Sequence, residues 1–149
     1  MKIFCYGSNM EKVRMSTRCP SAKFLSVGTL SNWQLVFNKK SKDGSSKANL
    51  VDRSSSQVWG VVWNIDPADK PHLDRAEGLG RGYEQMPVRV FSETMGEIDC
   101  LSYIARDQKY LESNLETHKW YTDLVLLGAQ QWGLPPEWIL VLENLGAQK

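Results

Sequence analysis

Apolar and polar positions alternate along the chain with two periods, and these divide it into elements. Residues 2–6 form a short apolar run that reads as a buried strand, and Gly7-Ser8-Asn9 stops it. Met10, Val13 and Met15 predict a short helix with Asn9 or Ser8 as its N-cap. Cys19-Pro20 ends that helix, because the residue before proline avoids the α region. Leu25, Val27 and Thr29 alternate with polar or small neighbours, as do Trp33, Leu35 and Phe37, which predicts strands. Residues 39–47 are polar around Gly44 and read as a mobile loop. Ser54-Ser55-Ser56 reads as another turn, and residues 58–65 as a central strand.

Asp66-Pro67 is a helix start, since aspartate caps and proline suits the first helical position. The helix is expected to run to Ala76 or Glu77 and to stop at Gly78, a residue suited to the left-handed cap. Gly80 and Gly82 continue a flexible loop. Residues 83–91 and 97–104 predict a hairpin around Thr94-Met95-Gly96. Leu124, Leu127 and Trp132 predict one helix and Ile139 and Leu142 the next, with Gly133-Leu134-Pro135-Pro136 between them. Helices inserted into and appended to a β-rich order predict an α+β fold, and the lack of repeats or linkers predicts a single domain over residues 1–149.

Composition narrows the function classes. A hydrophobic fraction of 42% over 149 residues is enough to build a core without disulfides or metal. A net charge of +1 gives no global field to recruit nucleic acid or anionic lipid, and neither partner is expected. Lys39, Lys40 and Lys42 form the one basic cluster and read as a solvated loop. Three cysteines, Cys5, Cys19 and Cys100, without CxxC spacing predict reduced thiols and a cytoplasmic location. No signal peptide is expected, because Lys2 is followed by only four fairly apolar residues. No apolar run approaches the ~20 residues of a membrane span.

Two histidines and no HExxH make a catalytic zinc site an unattractive reading. Neither GxGxxG after a strand, nor a Walker A loop, nor a GxSxG elbow is present. Carboxylate chemistry at a strand-to-helix turn remains. The amides of Gly7, Ser8 and Asn9 suit an anion or a developing oxyanion, although an ordinary strand–turn–helix corner has the same spacing. Glu77 is expected at a helix C-terminus, where the dipole disfavours a carboxylate and raises its pKa towards proton transfer near neutral pH. A solvated helix-end glutamate fits that spacing equally. Trp59 and Trp63, four apart, share a strand face, and Trp120, Trp132 and Trp138 read as packing residues. Cys5 reads as a buried strand thiol and Arg81 as a surface residue.

Phe4-Cys5-Tyr6-Gly7-Ser8-Asn9-Met10 resembles the YGSN-type signature of the γ-glutamyl cyclotransferase-like family. Val58-Trp59-Gly60-Val61-Val62-Trp63 is similar to that family's central strand, and Leu73-Asp74-Arg75-Ala76-Glu77-Gly78, with Tyr83 after it, to its catalytic-glutamate segment. Tyr121, six residues before Leu127-Gly128-Ala129, matches a family tyrosine of the substrate pocket, and Gly133-Leu134-Pro135 follows in order. The resemblance implies a small mixed β-barrel with flanking helices. It implies Glu77 as general acid/base, and Ile3, Phe4, Cys5, Tyr6, Gly7, Ser8 and Tyr121 as substrate-binding residues. It implies no metal and no organic cofactor. The start reads YGSN and not the YGTLK type of the γ-glutamylamine branch, which favours free γ-glutamyl amino acids or peptides.

The implied reaction is a cyclisation. The substrate's α-amine attacks its own γ-carbonyl, and 5-oxoproline and a free amine leave. Two other readings stay open: the same fold acting on a different γ-glutamylated small molecule, and a non-catalytic ligand-binding domain.

Overall fold

The computed structural model describes residues 1–147. Its strands are β1 (Lys2–Cys5), β2 (Lys23–Lys40), β3 (Ser46–Asn64), β4 (Glu84–Ser92) and β5 (Gly96–Ile104). Its helices are α1 (Lys12–Arg18), α2 (Lys70–Glu77), α3 (Lys119–Gln131) and α4 (Pro136–Ala147). The strands close a barrel in the order β1-β3-β2-β4-β5. All neighbours are antiparallel except at the closing seam, where Ile3 of β1 pairs in parallel with Leu101 of β5. The barrel is therefore mixed, as the family resemblance implied.

The two stretches around Leu25–Thr29 and Trp33–Phe37, read as separate strands, belong to one 18-residue strand, β2, facing the 19-residue β3. Ser54-Ser55-Ser56 is not a chain reversal. Ser31 pairs with Gln57 but Trp33 with Asp52, so residues 53–56 of β3 oppose Asn32 alone. Asn32 and Ser55 both take positive φ there, 68° and 64°, and the Asn32 side chain accepts the Ser55 amide at 3.3 Å. The serines carry a bulge that bends both strands, which long strands need to curl into a barrel. The expected loop over residues 39–47 is shorter than read: residues 41–45 form it, while β2 runs to Lys40 and β3 begins at Ser46.

The seam between β1 and β3 is covered on both faces. Ile3 and Phe4 point to opposite sides, as do Val61 and Val62, and all four are almost completely buried. Closeness here requires glycine at position 60, because a Cβ would stand 2.5 Å from the Cys5 carbonyl oxygen. The helices cover the outside. Trp132 stacks on Phe24 with ring centroids 4.2 Å apart, and its indole N–H donates to the Met10 carbonyl at 2.8 Å. That bond ties the end of α3 to the turn between β1 and α1.

The caps explain two helix boundaries. Residues Ser8–Met10 make a 3₁₀ turn, and α1 begins only after it, with Glu11 as N-cap accepting from the amides of Val13 (2.7 Å) and Arg14 (3.1 Å). The expected cap at Asn9 or Ser8 is thus displaced, and Asn9 is released for another contact. Asp66 caps the turn leading into α2, and Gly78, in the left-handed region at φ 65°, closes α2 directly after Glu77. Among the described residues no helix is long and apolar enough to cross a membrane.

Candidate active site

The C-terminal end of β1 and the C-terminal end of α2 meet at one cavity. Phe4, Cys5, Tyr6, Gly7, Ser8 and Asn9 line it from the first, and Glu77 from the second. Ala48 of β3, Tyr83, Ser102 and Tyr103 of the hairpin, and Tyr121 of α3 complete the wall. The enclosed space is ≈ 50 Å³, room for a few ligand atoms at roughly 10–15 Å³ per water-sized site, so a longer ligand must extend out of the opening. Of the residues expected to bind, only Ile3 falls outside the lining. Its side chain is fully buried core between Trp63 and Leu101.

Glu77 is not a solvated helix-end residue. Its side chain keeps 14% of its exposure, and burial raises its pKa. Arg18, a hydrogen bond from Asn9, Arg14 and Lys39 pull in the other direction without cancelling that rise. Asn9 connects the groups: its amide nitrogen donates to Glu77 Oε1, while its Oδ1 accepts from Arg18 Nη1 at 2.7 Å. Arg18 Nη1 also lies 3.5 Å from Glu77 Oε1. The Asn9 carbonyl accepts from the buried Trp63 indole at 3.1 Å, which fixes the turn carrying it.

Ala48 is gripped from both sides. The Tyr83 hydroxyl donates to its carbonyl at 2.5 Å, and its amide donates to the Tyr121 hydroxyl at 3.0 Å. Because Tyr121 accepts there, its own proton is free to be donated elsewhere. Burial pushes the Tyr121 pKa up to about 12, so the phenol stays protonated. Tyr6 donates to the Tyr103 carbonyl at 2.6 Å, and Tyr103 donates to Asp74 Oδ1 at 2.6 Å. Asp74 also holds Lys70, and both stand on α2 within the turns that precede Glu77. The Cys5 thiol is raised well above its usual range by burial first and Glu77 second, which keeps it protonated.

Gly7 lies at φ −116°, so its role is not a left-handed backbone. A Cβ there would come within 3.2 Å of Ala48 Cβ and 3.3 Å of the Tyr121 hydroxyl. The Ser8–Met10 turn begins at this point, and the first amides of such a turn have no acceptor within it. Tyr121 shares its buried face with Val125, Gly128 and Ala129, while Leu127, one of the residues that predicted this helix, is 44% exposed. Spacings of four and seven or eight residues define the inward stripe of α3. Arg81 is exposed, and Trp120, read as packing, is 49% exposed. Among the described residues no group of three or more histidine, cysteine or acidic side chains is placed to hold a metal ion.

Asn9, Arg18 and Arg14 were not anticipated as site residues. Asn9 had a signal, its place in the Tyr6-Gly7-Ser8-Asn9 motif, but its side chain read as a cap. Arg18 and Arg14 had no signal, because their approach to Glu77 depends on the 3₁₀ turn that offsets α1.

A closed barrel with one desolvated carboxylate beside hydroxyl and amide donors defines a site of acid–base type for a small ligand. The model of the AIG2-like family matches residues 57–142. The γ-glutamylcyclotransferase of Bos taurus is 32% identical over 148 residues, covering 95% of this chain and 77% of that protein. The γ-glutamylcyclotransferase of Homo sapiens is 31% identical, covering 91% and 73%. A solved structure of a γ-glutamyl cyclotransferase superposes with a TM-score of 0.88 at 30% identity, covering 96% of this chain and 86% of the other. The chain belongs to the γ-glutamylcyclotransferases of the AIG2-like family.

Proposed function

We propose that this chain is a γ-glutamyl cyclotransferase in which Glu77 moves the proton of the substrate's α-amine and releases 5-oxoproline. The observation that carries the reading is the raised pKa of Glu77 inside the cavity. The substrate amine is protonated at neutral pH and must lose a proton before it attacks. A carboxylate with raised pKa is the better base for that transfer.

The steps balance without water or a cofactor. Glu77 takes one proton from the α-ammonium. The amine nitrogen bonds to the γ-carbonyl carbon, and the carbonyl oxygen takes the negative charge. The amides of Gly7 and Ser8 and the free hydroxyl proton of Tyr121 stabilise that oxyanion. The bond from the γ-carbon to the original nitrogen breaks as that nitrogen receives the proton from Glu77. The freed carboxylate then takes the second proton from the ring nitrogen, which leaves the neutral lactam of 5-oxoproline, and passes it to the departing amine, which leaves as an ammonium. No bond is hydrolysed, so the reaction counts as a lyase-type cyclisation. Since the nucleophile is tethered to its target, the enclosed cavity contributes chiefly by holding the chain in its cyclic conformer.

A non-catalytic binding domain has no use for a buried carboxylate whose compensation is incomplete, which is costly to keep. We read residues 1–149 as a single domain acting on free γ-glutamyl amino acids or peptides, those of glutathione metabolism included. The three buried free cysteines suit a reducing, cytoplasmic location. The test is 5-oxoproline release by the purified protein from γ-glutamyl dipeptides, glutathione and γ-glutamylamines. Release from none of them sinks the reading.

A further inference from the structure

Outside the tyrosine wall the cavity is bordered by cations. Lys47 Nζ lies 5.0 Å from the Tyr121 ring and 5.1 Å from the Trp120 ring. Arg14 approaches the same Trp120 ring at 5.9 Å, and Lys39 Nζ lies 4.9 Å from the Tyr83 ring. Tyr83 and Tyr121 are 7% and 4% exposed, while Arg14, Lys39 and Lys47 are half-buried and Trp120 is 49% exposed. The tyrosines thus face the cavity, and the cations stand between them and solvent.

This rim is under-compensated. Lys39 and Lys47 are register partners on β2 and β3, and like charges directly opposite on neighbouring strands repel. Arg14 Nε is buried with no hydrogen-bond partner, although a guanidinium can donate five times. The acidic groups nearby are few. Glu77 sits inside the cavity, Glu11 is spent on the Val13 and Arg14 amides, and Asp43 is 42% exposed and engages Lys47 at 3.4 Å. Lys47 is held by Asp43 and by Ser45 Oγ at 2.6 Å, but two facing lysines and an unpartnered guanidinium nitrogen beside a cavity suit an anionic ligand.

Building on the cyclotransferase reading, we propose that Arg14 and Lys47 beside Trp120, with Lys39 over Tyr83, form the receptor for the carboxylate of the departing amino acid. Only a few substrate atoms fit inside the cavity, so the departing residue must extend past its wall, and Lys39 and Lys47 stand against the Tyr83 and Tyr121 rings of that wall. The departing residue's carboxylate is unchanged in the reaction and serves to orient the scissile bond. Trp120 gives the departing side chain an apolar face. The rim therefore selects γ-glutamyl amino acids that end in a free carboxylate over uncharged analogues.

The experiment compares γ-glutamyl-alanine with its C-terminal amide in wild type and in Arg14→Gln and Lys39→Gln. Wild type is expected to favour the acid by about ten- to hundredfold in kcat/KM, the range of charge-assisted hydrogen bonds. Each substitution should lower the acid's kcat/KM several-fold more than the amide's. The wild-type preference should also shrink between roughly 0.01 M and 1 M salt, as screening tightens. Thermal melts identify a variant that does not fold, in which case the other variant and the salt series carry the test. Equal kcat/KM for acid and amide in wild type, or equal losses for both in the variants, overturns the receptor alone. If neither substrate cyclises, the cyclotransferase reading falls and the receptor with it.

Discussion

The wall of the cavity and its rim are built on opposite terms. In the wall, Tyr6, Tyr83, Tyr103 and Tyr121 all engage a fixed partner through the hydroxyl, and three of those partners are backbone groups. In the rim, Arg14 keeps a buried nitrogen unpaired and two lysines face each other across neighbouring strands. A satisfied polar network is rigid, and rigidity is what preorganised donors need in order to stabilise charge without rearranging. Unsatisfied cations are what a binding surface looks like before its ligand arrives. Glu77 stands where the two regimes meet: Asn9 orients it from the wall side, and its incomplete compensation resembles that of the rim.

The sharpest way to break this division is Glu77→Gln. The amide keeps the shape and can still accept from Asn9, but it cannot take the ammonium proton. Loss of a general base costs about 10²–10⁴-fold, and the effect should fall on kcat. Measured 5-oxoproline release within threefold of wild type would remove Glu77 from the role. The same variant tests the electrostatics. A carboxylate with a raised folded-state pKa is protonated in both states below its ordinary value of 4.5, and there it costs nothing. As pH rises through the folded value, ionisation in the buried site takes stability away. Glu77→Gln should therefore melt at or above wild type at pH 7, and the gap should close as pH falls towards 4.5. A variant less stable at pH 7 than at pH 4.5, relative to wild type, contradicts the raised pKa. Wild-type kcat/KM should likewise fall on acidification as Glu77 protonates.

Gly7→Val attacks the wall sterically. The Cβ alone would stand 3.2 Å from Ala48 Cβ and 3.3 Å from the Tyr121 hydroxyl, and the two methyls it carries must push one of them aside. A misplacement near 1 Å at such a site costs about 10²-fold. The readout is kcat/KM beside the melt. Wild-type kinetics would show that the turn does not touch substrate.

The sequence carried the barrel and Glu77 unevenly. Apolar periodicity found β1, the β4–β5 hairpin and α2 with its glycine stop, because each is local in cause. It misread Ser54-Ser55-Ser56, since a serine run signals a turn whether the chain reverses or bulges, and only pairing with Asn32 decides which. The family resemblance, not periodicity, implied a site at Glu77 and Tyr121, and spacing alone left both open. Asn9, Arg18 and the cationic rim were illegible because they are products of pairing. Lys39 and Lys47 look like a solvated loop until β2 and β3 extend far enough to set them opposite one another.

Tyr121→Phe gives the smallest effect and separates two jobs held by one oxygen. The hydroxyl accepts the Ala48 amide and is nearly buried, so its loss leaves that N–H without its partner. Such a group costs about 1–3 kcal/mol, and the melt should fall accordingly. If the hydroxyl proton also reaches the substrate oxyanion, kcat/KM should drop a further roughly three- to tenfold, the worth of one hydrogen bond of ~0.5–1.5 kcal/mol. The two consequences are separable because stability is read without substrate and the kinetic loss is read well below the melt. A lower melt with kcat/KM within twofold of wild type would make Tyr121 a clamp on Ala48 alone. A drop in both assigns it to the wall and to the chemistry, and leaves the turn amides near Gly7 to share the oxyanion with it.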